Sequence, residues 1–87
     1  MKTINCTFYA DPSHGWLRVS KGFLVQFNIA HKISSYSYER QGYVYLEEDC
    51  DAGRFINAAA ENNYTLNITE RHTDGHSVIR QYNSYTV

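Results

Sequence analysis

Polar and apolar residues alternate from residue 3 to residue 9: Ile4, Cys6 and Phe8 point one way, Thr3, Asn5, Thr7 and Tyr9 the other. A period of two over this length predicts a half-buried strand. Asp11-Pro12-Ser13-His14-Gly15 is a turn by composition, because proline fixes one backbone dihedral and glycine frees another. Trp16-Leu17-Arg18-Val19 reads as a second short strand. Beyond Ser20, which can cap a helix, Phe23, Leu24 and Phe27 recur at helical spacing and predict a short helix over 21–29. Gly22 weakens that helix, and Val25 and Ile29 would also serve in a strand.

Residues 33–39 and 43–48 flank Arg40-Gln41-Gly42, a hairpin signal. With a two- or four-residue loop, Ile33, Ser35 and Ser37 share a face with Val44 and Leu46. Tyr36, Tyr38, Tyr43, Tyr45 and Glu47 then share the other, which is expected to be a partly exposed tyrosine platform ending in acid. A three-residue loop with a bulge would exchange the faces. Residues 51–62 form the clearest helix, with Asp49 or Asp51 as cap, Phe55, Ile56 and Ala59 as apolar stripe, and Asn62-Asn63 as stop. Residues 64–71 and 76–83 are expected to pair around the Asp74-Gly75 turn, with Leu66 and Ile68 facing the same way as Ile79. The expected fold is α+β: residues 1–87 as a single domain, an antiparallel sheet of five to six strands in ββ(α)ββαββ order, and one or two helices packed on one face.

Composition narrows the function classes. Hydrophobic residues make up 43% and charged residues 20% of 87 residues, which fits a folded domain with one modest core. No apolar run approaches the roughly 18 residues of a membrane span, and the first residues lack a secretion signal, so a cytoplasmic chain without a membrane partner is expected. In that compartment Cys6 and Cys50 are free thiols. Eight Lys+Arg against nine Asp+Glu provide no basic field, which argues against nucleic acid. Stacking of single strands on Tyr and Arg residues is the alternative. Eight tyrosines beside one proline point instead to strands with an aromatic face.

Few residues carry candidate chemistry. Glu47-Glu48-Asp49-Cys50-Asp51 packs four carboxylates into five residues, as a capped helix start, an acidic docking surface, or a metal or acid–base site. His72 and His76 straddle Asp74-Gly75, but without a paired cysteine motif they do not make a zinc site. Cys50 with His14 would resemble a nucleophile and base, yet neighbouring carboxylates disfavour the thiolate, and a small buried thiol is the plainer reading. His14-Gly15-Trp16 is either a core anchor or part of a binding edge. No phosphate loop, nucleophile elbow or helical metal pair is present, so no catalytic residue, metal or cofactor is assigned.

The strings His14-Gly15-Trp16-Leu17-Arg18-Val19, Lys32-Ile33-Ser34-Ser35-Tyr36-Ser37-Tyr38 and Val44-Tyr45-Leu46-Glu47-Glu48-Asp49-Cys50-Asp51-Ala52 resemble small, uncharacterised proteins of bacteriophages and other mobile elements of bacteria. The resemblance covers about residues 8–60 and transfers no catalytic residue. It implies an accessory protein inside a bacterial host cell, where such domains often bind and block a host protein, as anti-CRISPR proteins do. The expectation is therefore a non-enzymatic interaction module. Its partner-binding residues would be Tyr36, Tyr38, Tyr43, Tyr45, Glu47, Glu48, Asp49, Asp51, His14 and Trp16. The expected partner is a host protein with a basic surface, and a homodimer through the same face is the competitor. An enzyme would instead need His14, Glu47, Glu48, Asp49 or Cys50 in one cleft.

Overall fold

The structure is a computed structural model and describes residues 2–87. Along the chain run β1 (Lys2–Ala10), β2 (Gly15–Ser20), α1 (Lys21–Gln26), a 3-10 turn (Ala30–Lys32), β3 (Tyr38–Arg40), β4 (Tyr43–Glu47), α2 (Ala52–Glu61), β5 (Tyr64–His72), a second 3-10 turn (Val78–Gln81) and β6 (Asn83–Ser84). The fold is α+β, in the expected element order. The six strands form one sheet in the order β5-β1-β2-β4-β3-β6.

Period-two patterning gives this sheet two working faces. On one, Ile4, Cys6, Leu17, Val19, Val44 and Leu46 are buried against both helices. Leu24 and Phe27 carry the chain from α1 onto that face, and Ala52, Phe55, Ala58 and Ala59 form the buried stripe of α2. The stripe follows the 3.6-residue period, so Ile56, expected within it, falls outside and is exposed. On the other face, Trp16, Tyr45 and Ile79 form a second buried cluster, edged by Tyr9, Tyr38 and Tyr82.

The first hairpin has the expected pairing parity. Arg40 faces Tyr43 and Tyr38 faces Tyr45 across a two-residue turn, with Gln41 at φ 52° and Gly42 at φ 85°. Two consecutive positive φ values match the right-handed strand twist. The first strand is shorter than expected, because residues 33–37 form a turn. The Asp51 carboxylate draws them away from the ladder, accepting bonds from the Ser34 backbone N (3.1 Å), Ser34 Oγ (2.6 Å) and Ser37 Oγ (2.6 Å).

The expected second hairpin does not form. β5 pairs in parallel with β1 over nine residues, Lys2 with Tyr64 through Ala10 with His72. The helical crossover through α2 permits this, as parallel pairing requires. After Asp74-Gly75 the chain crosses the second face, buries Ile79, and ends as β6 beside β3. Beyond β6 the Tyr85 ring enters the first core and its hydroxyl donates to the Ala30 carbonyl at 2.6 Å. The segment 73–87 therefore clamps the sheet from both sides.

The two turn glycines now separate in a measurable way. Gly42→Val should cost about 1–3 kcal/mol, since a β-branched residue resists positive φ. Gly75→Val should be nearly neutral, because Gly75 lies outside the left-handed region and nothing stands within 4 Å of an added Cβ. Denaturant unfolding of both variants checks this, and a larger loss at Gly75 would contradict the topology.

Candidate functional site

The second face is assembled around a carboxylate. Asp11, at the end of β1, is withdrawn from water, and its side chain has no exposed surface. Arg80 donates to it twice, Nε to Oδ2 at 2.6 Å and Nη2 to Oδ1 at 2.9 Å. The Ser13 and His14 backbone N–H groups bond Oδ1 at 3.1 and 2.9 Å, and the Ser77 N–H bonds Oδ2 at 3.1 Å. A buried carboxylate is tolerable only when satisfied in this way, and the two-pronged guanidinium fork suits it. Arg80 also donates to Ser13 Oγ at 2.8 Å and lies 5.5 Å from the Trp16 ring centre.

This clamp positions the wall of a cavity of about 280 Å³, lined by His14, Trp16, Tyr36, Tyr38, Glu47, Asp49, Cys50 and Arg80. The His14 ring stacks on Trp16 with centroids 6.0 Å apart and planes at 18°. Its Nδ1 is 3.2 Å from Arg80 Nη2. A guanidinium only donates, so Nδ1 is the acceptor in this contact. Tyr38 meets Trp16 edge to face at 6.3 Å. Tyr36, 70% exposed, projects from the 33–37 turn that Asp51 holds, and its N–H donates to Ser34 Oγ at 3.2 Å.

The acids divide into two groups. Asp51 is buried and occupied by the serines; it makes no side-chain bond to the helix it precedes, so the expected cap is replaced by a link across to the loop. Glu47 organises the approach to α2 instead, its Oε2 accepting from the Asp49 and Cys50 N–H groups at 3.0 and 2.9 Å. Glu48 and Asp49 are exposed, and among the described residues neither they nor Glu47 form an ion pair. Cys50 is exposed rather than buried; Cys6 is the buried thiol. A hydrogen bond to Glu47, then desolvation and the charges of Glu47, Asp51 and Asp49, raise the Cys50 thiol above its ordinary value. It is a poor nucleophile on those grounds.

Six of the ten expected binding residues line this one cavity: His14, Trp16, Tyr36, Tyr38, Glu47 and Asp49. The open four-tyrosine platform, however, is corrected. Tyr45 is 8% exposed, with Tyr82 packed on it at 5.1 Å between ring centres. Trp16 is 1% exposed and serves as a core anchor, and Asp51 is likewise inside the fold. Tyr43 remains half-exposed under the Arg18 guanidinium, 4.8 Å from its ring centre, and with Glu48 lies outside the cavity lining. Arg80 was missed, and so was Asp11, whose place before Pro12 in a turn was the one available signal. Among the described residues no three His, Cys, Asp or Glu side chains converge to hold a metal ion, and no helix is long and apolar enough to cross a membrane. No protein-family model matches the chain, and no curated protein or solved structure matches it either.

Arg80 foremost, aided by the Ser77, His14 and Ser13 N–H groups and opposed by burial, holds the Asp11 carboxyl well below the usual carboxylate range. Unfolded aspartate titrates near about 3.9, so the charged form contributes its full stability above that pH and loses it progressively as the pH falls further. Asp11→Asn should therefore be less stable at neutral pH and lose less additional stability between about pH 4 and pH 2 than the parent chain. Thermal unfolding across that range checks it; parallel acid profiles would contradict the clamp.

Proposed function

We propose that the chain is a non-enzymatic protein-interaction module that binds a basic surface of another protein and blocks it by occupying it. The observation that carries this reading is the pairing, at one cavity, of an exposed tyrosine with carboxylates that no cation of the described residues neutralises. Among the described residues Arg80 is the one cation lining the cavity, and its charge is already matched by Asp11. The cavity therefore presents Glu47 and Asp49 as net negative charge beside an aromatic anchor, a combination suited to steering and holding a basic partner. The resemblance to phage and mobile-element accessory proteins supports a host bacterial protein as that partner.

Chemistry favours binding over catalysis at the same place. His14, Glu47, Asp49 and Cys50 do line one cavity, as an enzyme would require. Yet the thiol is held protonated by its acidic neighbours, and the His14 Nδ1 lone pair is turned to a guanidinium. Neither group is poised as a nucleophile or as its base.

The test is affinity capture from bacterial lysate on the parent chain, Tyr36→Ser and Asp49→Lys, compared by quantitative mass spectrometry. Both side chains are exposed, so both variants should stay folded. One protein should be retained by the parent and lost from both variants, with Tyr36→Ser weakening it by about 2 kcal/mol, and association should slow as salt rises. Identical retained sets on all three chains would overturn the reading.

A further inference from the structure

We infer that the cavity beside Tyr36 is a receptor for a single guanidinium group, the side chain of one arginine on the partner; this rests on the interaction reading above and names the partner chemistry. The second face repeatedly places a guanidinium over an aromatic ring. Arg18 lies 4.8 Å from the Tyr43 ring centre, Arg40 5.0 Å from Tyr82 and Arg80 5.5 Å from Trp16. Tyr36, the most exposed tyrosine among the described residues, has no cation over its ring within that set. It is an aromatic surface of the same kind, with the cation missing.

The carboxylates beside it supply the complementary half. Glu47 is 8% exposed; its Oε2 accepts two backbone N–H groups, its carboxylate also takes a hydrogen bond from the Cys50 thiol, and no cation of the described residues is paired with it. Asp49 accepts no hydrogen bond among the described residues. Carboxylates that line a cavity without an ion-pair partner favour a donor that brings charge. The volume, about 280 Å³, lies at the lower edge of small-molecule sites and suits one long side chain entering from another surface. An anionic ligand would meet uncompensated acid.

Guanidinium is preferred to ammonium for three reasons. It is planar and stacks on a phenol ring; its fork can engage two carboxylates at once; and it sheds water more readily than the compact lysine head. The bidentate Arg80–Asp11 pair on the neighbouring wall shows that fork geometry already accommodated in this fold.

The experiment titrates N-acetyl-arginine amide, N-acetyl-lysine amide and N-acetyl-citrulline amide into the intact chain and follows amide and aromatic NMR shifts. The arginine probe should give saturable shifts confined to Tyr36, Asp49, Cys50 and Trp16, and bind about fivefold more tightly than lysine. Citrulline, equal in shape and uncharged, should give none. Tyr36→Ser and Asp49→Asn, both changes at exposed side chains, should each abolish the arginine shifts. Equal lysine binding, shifts elsewhere, or no saturable shift would overturn the assignment. A partner captured through Tyr36 without arginine binding would remove the guanidinium pocket and leave the interaction module standing. Arginine binding with no Tyr36-dependent partner would do the reverse.

Discussion

A carboxylate removed from water must find donors, and among the described residues Asp11 finds them in two places: its own turn and the segment beyond β5. The Ser13 and His14 N–H groups come from the turn, while Ser77 and Arg80 come from beyond β5. Closing that contact lays the 73–87 segment across a sheet face that would otherwise expose Trp16 and Tyr45. Such an aromatic patch on a small domain would be an aggregation liability. The same contact makes Arg80 a cavity wall and leaves it no net charge to offer.

Asp51 acts in parallel on the 33–37 turn. It gathers Ser34 and Ser37 and turns residues 33–37 out of the sheet, which presents Tyr36 outward. Ser37 passes the link on, its Oγ accepting from the Glu47 N–H at 2.9 Å. Two satisfied buried carboxylates thus set the shape of the cavity, and the acids left over supply its charge. Buried ionic groups of this kind are weak stabilisers in themselves, so shaping the surface is the better account of their presence.

What neighbouring residues determine was legible in the chain. The alternation through β1, the stripe of α2 and the pairing parity of the first hairpin all follow from local periodicity and turn chemistry. Most of the candidate site was legible too, because Tyr36, Tyr38, Glu47 and Asp49 fall in or beside that hairpin, and His14-Gly15-Trp16 is a distinctive string where the turn enters β2. The errors over the second hairpin and the tyrosine platform share one cause. Asp74-Gly75 has the composition of a hairpin turn, but the partner of β5 is β1, 62 residues earlier in register, and Ile79 and Arg80 are claimed by Trp16 and Asp11. The burial of Tyr45 follows from that long-range contact, as local pattern shows which side a residue faces but not what arrives to cover it.

Trp16 is the single tryptophan of the chain, so its fluorescence reports on the clamp alone. The direct measurement is acrylamide quenching of Trp16 in the parent chain and in Arg80→Gln, with far-UV circular dichroism as a check that the helices persist. If the Asp11–Arg80 contact holds the C-terminal segment over the second face, the variant should show red-shifted, readily quenched emission with its helical signal retained. Emission as blue and as protected as in the parent would show that Trp16 is covered without the clamp, and would contradict the account.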